Sequence, residues 1–197
     1  MRRVRPRTPV LVLLTGALLL PAGLLRADAG ADLQKSLLAA TVRAIELEIE
    51  ATRQKLKTAE EGTGPEENVQ RFRQKLRDLE AEQARLARLK PEEYPEPVKG
   101  SSDPGSIFES SGGSGPVLPP LLREATVQID APCAEGALLP VEGTSKSGPF
   151  YHLAGITGDD YGILKPGKKL RLQLCLVYRR EYFGLIGDFY VYVLSVR

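Results

Sequence analysis

The chain has one histidine and two cysteines, and both scarcities narrow its chemistry. A Ser-His-Asp or Cys-His site would have to use His152, because there is no other imidazole. His152 sits in the apolar run Phe150-Tyr151-His152-Leu153-Ala154, where a lone histidine reads as a structural residue on a strand. A zinc site draws on Cys and His ligands, and one His with two distant Cys does not supply a set. Calcium needs six to eight oxygens, and no Asp-x-Asp-x-Asp spacing occurs. The paired carboxylates of Gly158-Asp159-Asp160-Tyr161-Gly162 therefore read as a polar β-turn. Gly112-Gly113-Ser114-Gly115 lacks the strand and the lysine of a phosphate loop. No cofactor and no enzymatic activity are expected. The alternative is a small-ligand or enzymatic site built from Tyr151, His152, Asp159 and Asp160.

Charge of one sign is also lacking. The net charge of +2 is carried by the first 29 residues, which hold Arg2, Arg3, Arg5, Arg7 and Arg26 against Asp28. Without them 22 basic and 24 acidic residues remain, a net of −2. Such a chain has no electrostatic attraction for nucleic acid or for an anionic membrane.

The same 29 residues have the parts of a secretory signal. Met1 to Arg7 is basic, Val10 to Leu25 is apolar but broken by Gly16 and Pro21, and Ala27-Asp28-Ala29 is an A-x-A cleavage pattern. The apolar run of 16 residues falls short of the roughly 20 that a spanning helix needs. Cleavage before Gly30 and export to the periplasm or medium are expected, with a membrane anchor at residues 10–25 as the alternative. In an exported chain Cys133 and Cys175 are expected to form a disulfide. Its loop of about 40 residues would contribute roughly 4 kcal/mol in the chain-entropy model.

Residues 30–90 carry two heptad seams. The first runs Leu38, Val42, Ile45, Ile49, Thr52, Leu56, Ala59, and the second Val69, Phe72, Leu76, Leu79, Gln83, Leu86. Steps of four and three are the a/d spacing of a coiled coil. Gly62-Thr63-Gly64-Pro65 lies between them, so folding there pairs 56 with 72, 52 with 76, 49 with 79, 45 with 83 and 42 with 86. Asp32 is the expected N-cap of the first helix, and Pro65-Glu66-Glu67 opens the second. The arm would be roughly 40 Å long. Glu46, Glu48, Glu50, Arg71, Arg73, Glu80 and Glu82 read as a solvated face, and Thr52 as a seam residue that water reaches. Leu33, Leu37, Ala40, Ala44 and Leu47 widen the apolar face of the first helix beyond the seam. A two-helix hairpin buries little, so that wide face is expected to bind a second copy or a protein partner.

Residues 91–120, rich in Pro, Gly and Ser, read as a flexible linker. Residues 121–197 then hold six of the seven tyrosines and alternate with period two. Leu170, Leu172, Leu174, Leu176 and Tyr178 interleave with polar or small partners, and Phe189 to Val196 is apolar on both faces. Ala125 to Ile129 and Phe150 to Ala154 are weaker strands, and turns are expected at Pro166-Gly167 and Gly187-Asp188. The expected fold is α+β in segregated parts: an antiparallel helical hairpin, then a small antiparallel sandwich or barrel, immunoglobulin-like in the first instance. Arg179-Arg180-Glu181-Tyr182-Phe183-Gly184-Leu185 reads as a loop between the two strongest strands. Its Arg179, Arg180, Tyr182, Phe183 and Leu185 are of the types that anchor partners.

Taken together, these features describe an exported, non-enzymatic adaptor of the cell envelope. Its hairpin would bind itself or a protein, and its β domain would dock a second protein. An uncleaved N-terminus would instead resemble, in layout alone, the scaffold proteins of pilus and secretion assemblies, in which an anchor is followed by a coiled coil and a small domain.

Overall fold

The structure, a computed structural model, describes residues 24–62, 65–99, 117–130, 133–142, 150–156, 164, 166–182 and 185–196. Two helices precede a six-stranded mixed sheet. Helix α1 spans Leu24–Glu61 and α2 Glu66–Leu86. A 3-10 turn at Pro91–Glu93 follows, then strands β1 Val98–Lys99, β2 Val117–Ile129, β3 Leu138–Leu139, β4 Phe150–Ile156, β5 Lys168–Tyr182 and β6 Leu185–Val196.

Helix α1 is already running at Leu24, so Asp32 lies inside it rather than at its cap. The Leu, Ala and Arg of residues 24–29 are good helix formers and extend it backwards. It stops at Glu61, where Gly62 closes on the carbonyl of Thr58 at 3.1 Å. The helices run antiparallel: Glu60 meets Arg73 at 2.8 Å near the turn, while Gln83 reaches Glu46 at 3.4 Å farther down.

The strand order is β1-β2-β5-β6-β4-β3. β2–β5, β5–β6 and β3–β4 are antiparallel, but β1–β2 and β4–β6 are parallel. The antiparallel immunoglobulin-like arrangement expected from the sequence is thus replaced by one mixed sheet. Alternation specifies which residues share a face; it does not specify the direction of the neighbouring strand. The two ends of the sheet are also bridged. Beyond β3, Val141 pairs with Val127 of β2, and the amides of Gln128 and Glu142 bond the carbonyls of Pro140 and Thr126 at 3.2 and 2.8 Å.

Both faces of the sheet are buried where β4, β5 and β6 meet the helices, which is why Phe189 to Leu194 is apolar on both sides. One face gathers Leu121, Val127, Leu153, Leu174, Phe189, Val191 and their neighbours into an inner cluster. The alternate residues Cys175, Val177, Tyr190 and Tyr192 turn outward and meet the helices. Cys175 therefore lies on the helix side while Cys133 packs against the inner cluster, and no disulfide joins them. Burial pushes both thiols up, that of Cys175 to about 12.

Residues 91–99, expected as linker, are packed in part. Tyr94 is fully buried against α1. The Thr41 hydroxyl donates to the Leu37 carbonyl at 2.8 Å, so the Tyr94 hydroxyl, 2.5 Å from Thr41 Oγ1, is the donor of that second bond. Gln34 Nε2 donates to the Tyr94 carbonyl at 2.7 Å. An aromatic ring among prolines supplied the apolar area that the rest of the segment lacks.

Candidate functional site

The wide apolar face of α1 has found its cover within the same chain. Leu37, Ala40 and Ala44 are buried, and Leu33 and Leu47 pack partly buried beside them. Their neighbours are Cys175, Val177, Tyr178, Tyr190, Tyr192, Ala154 and Tyr94. Small residues at positions 40 and 44 let the helix approach the ring-bearing strands closely. Leu47 also sits over Gly136, whose φ of +77° belongs to the turn before β3. Arg43 clamps that same turn by bonding Glu135 at 2.8 Å and Glu46 at 2.8 Å.

At the border of this seat lies a row of charged groups that crosses three strands. Arg180 and Asp188 are cross-strand neighbours on β5 and β6, and His152 on β4 pairs with Tyr190, two residues along β6. All four point to the helix side. Arg180 Nε bonds Glu48 Oε2 at 2.5 Å, and its Nη1 stands 3.7 Å from Asp188 Oδ2. Arg180 Nη2 donates to the Tyr190 hydroxyl and its guanidinium lies 5.1 Å from the centre of that ring. Glu48 takes a second cation, Lys75 of α2, at 2.7 Å. At the far end Asp188 Oδ2 meets His152 Nε2 at 3.0 Å, and Asp188 Oδ1 accepts from the Phe150 amide at 3.3 Å. The remaining ring nitrogen of His152 faces the Gly136 carbonyl at 3.4 Å. Lys55 stands near enough to feel Glu48, Arg180, Lys75 and Asp188, though burial is the larger influence and lowers its affinity for a proton.

Glu48 is 1% exposed. Its expected place on a solvated face is therefore corrected, and the reason is its two cations: a carboxylate in this position is tolerated only when paired. Thr52, expected where water reaches, is buried as well. Arg180, expected on a partner-binding loop, is instead the hub of this row. The segment Arg179–Tyr182 continues β5, and Leu185 opens β6 opposite Tyr182. Gly187-Asp188, expected as a turn, lies inside β6. Phe183, Asp159 and Asp160 fall outside the described residues, as do residues 1–23.

Chemically, the row alternates acid and base from Lys75 through Glu48, Arg180 and Asp188 to His152. Its charges are satisfied by one another, and both His152 nitrogens are engaged by Asp188 and Gly136. This fastens α1, α2, β4, β5 and β6 together. Tyr151 does not join His152: adjacent on β4, it turns to the inner face, stacks on Phe189 and accepts a bond from Arg123. The four-residue pocket of the alternative reading is thus divided between two faces where the structure describes it. Among the described residues no group of three or more acidic, His or Cys side chains is placed to hold a metal. None of the described helices is long and apolar enough to cross a membrane.

Comparison of the chain with protein-family models, with curated proteins and with solved structures finds no match in any of the three.

Proposed function

We propose that the protein is a non-catalytic interaction protein of an exported compartment, in which the β unit is a base and the helical hairpin is an arm for a protein partner. We read the end-bridged sheet as a small barrel and the hairpin as a short antiparallel coiled coil. One observation carries this reading. The lower part of the hairpin is fastened to the sheet, whereas no apolar residue from Ala51 to Phe72 belongs to either core cluster. The outer part is held by its own seam and by helix-to-helix ion pairs such as Arg53–Glu80 at 2.8 Å. Between the helices there, Ala51, Gln54, Lys55, Thr58, Ala59, Asn68 and Phe72 line an open groove of about 560 Å³. An anchored arm with a loosely filled outer seam suits docking by a third helix.

The test is a photo-crosslinking residue placed at Thr58 in the living source cell. One discrete adduct that disappears with Phe72→Asp supports the arm. Adducts no different from those at exposed Arg171 on the sheet overturn it. Intact mass addresses export: a chain beginning near Gly30 supports a secreted or periplasmic protein, and a full-length chain in the membrane fraction supports the anchored alternative.

A further inference from the structure

The inner face of the sheet carries Arg123 of β2 among apolar side chains, and Arg179 of β5 stands opposite Phe189 on the same face. Arg123 shares the face of Leu121, Ala125 and Val127 by strand alternation, while Glu124 turns the other way and pairs with Arg171. Arg123 is partly buried. Its Nη1 donates to the Tyr151 hydroxyl at 2.5 Å, with the guanidinium carbon 5.5 Å from that ring's centre. β2 and β4 are not neighbours in the strand order, so this bond crosses the inner side of the sheet instead of running along one strand pair. Tyr151 is 2% exposed.

The hydrogen-bond inventory of the pair is one-sided. A guanidinium has five donors and no acceptor, and a phenol that accepts one bond keeps one donor. Among the described residues Arg123 and Tyr151 have only each other as polar partners, so the groups they still offer are chiefly donors. No carboxylate among the described residues is paired with Arg123, in contrast to Arg180, which meets two. A partly buried cation bonded to a buried phenol, with donors left over on both, suits an oxyanion.

We propose that Arg123 and Tyr151 form a binding site for a carboxylate or phosphate group at the inner face of the sheet. The guanidinium fork takes two oxygens and the phenol donates to one of them. Apolar Leu121, Leu174 and Phe189 flank the pair in the same cluster, so the ligand is an oxyanion carried on an apolar body more readily than a free polyanion. The site is independent of the hairpin groove.

The full chain, labelled at the ζ carbon of tyrosine, would be titrated with inorganic phosphate and separately with acetate and hexanoate, at ionic strength held constant with sodium chloride. The Tyr151 resonance, assigned by its loss in Tyr151→Phe, should shift saturably. Hexanoate should bind more tightly than acetate, and the phosphate arm distinguishes a tetrahedral from a planar oxyanion. Tyr151→Phe, followed through thermal stability, should weaken binding roughly tenfold, the effect of losing one bond to a charged group. Arg123→Gln should abolish it. If that variant does not fold, Arg123→Lys, which keeps the charge and loses the fork, should weaken binding by a similar factor. Shifts that chloride reproduces, meaning an adventitious ion only, would overturn the proposal. So would an unresponsive Tyr151 resonance, or unchanged affinity in Tyr151→Phe.

Discussion

The two halves of the hairpin carry the same heptad seam and have different fates. From Leu33 to Ile49 the first helix is sandwiched between α2 and the sheet, and its seam and its wide face are both used. From Thr52 to Phe72 the same spacing continues, but no apolar side chain described there joins a cluster with the sheet. The difference teaches that a heptad seam brings two helices together, and that a third layer decides where they become part of a core. Residues 40, 44 and 48 mark the inner half: two alanines that allow close approach and one glutamate that meets a cation on the sheet.

The largest expected effect comes from breaking the ionic link between the halves and the sheet. Arg180→Leu takes the more buried of two bonded cations from Glu48 and a partner from buried Asp188, and should cost about 3–5 kcal/mol in urea unfolding. Replacing both, Glu48→Leu with Arg180→Leu, should recover most of that loss, because the penalty belongs to the orphaned carboxylate rather than to the missing bond. A double variant as unstable as the single one would show that the seat depends on the ion pair itself.

Leu37→Ala removes a wholly buried side chain at the centre of the inner half and should cost about 3 kcal/mol. Leu56→Ala is the matched truncation in the outer half, where the side chain is only partly buried, and should cost about 1 kcal/mol. Equal losses would erase the distinction between the halves.

Much of this contrast could be read from residue order alone, and the part that could not has a physical cause. The spacing of Leu33, Leu37, Ala40, Ala44 and Leu47 showed an apolar face that needed cover. Spacing is a property of one helix, however, and carries no information on whether the cover is another molecule or a strand 130 residues away. Alternation likewise placed Leu170 to Leu176 on one face, and it put Cys175 on the other. Followed one step further, that parity signalled that Cys175 lies among helix contacts. The parallel pairing of β4 with β6 has no local signature, since it depends on a crossover through the whole of β5. Glu48 looked like its neighbours Glu46 and Glu50; what distinguishes it is Arg180, which is distant in sequence and became visible only once the sheet was assembled. The Arg123–Tyr151 bond was hidden for the same reason.

Alkaline titration probes the inner half without any substitution. Burial pushes the Tyr94 hydroxyl from 10.0 up to about 12, and the Cys175 thiol from 9.0 up to about 12. Both groups are neutral acids whose folded values lie above the unfolded ones. Their protonated forms therefore support the fold fully below pH 9, and that support is lost as pH rises through 9 to 12. Stability should begin to fall above pH 9, where Cys175 and the less buried Cys133 are both held protonated by burial, and fall more steeply above pH 10, where Tyr94 and Tyr151 join them. Cys175→Ala should remove most of the first part of the slope, measured as urea midpoint against pH, and Tyr94→Phe much of the second. The outer half has no buried acid of this kind among its described residues, so amide exchange at 53–61 should change little over the same range beyond its intrinsic pH dependence.

The smallest expected effect is at the outer ion pairs. Arg53 and Glu80 meet at 2.8 Å, yet their side chains are 60% and 51% exposed. Water screens the pair, and ordering two long side chains offsets what attraction remains. Arg53→Ala should therefore change global stability by less than about 1 kcal/mol, and less again at high salt. The informative readout is local. If the outer half opens separately, hydrogen exchange at residues 53–61 should accelerate in Arg53→Ala while exchange at 37–49 is unaltered. Acceleration in both segments together would mean that the hairpin unfolds as one unit, and that the sheet stabilises the outer seam through the length of α1.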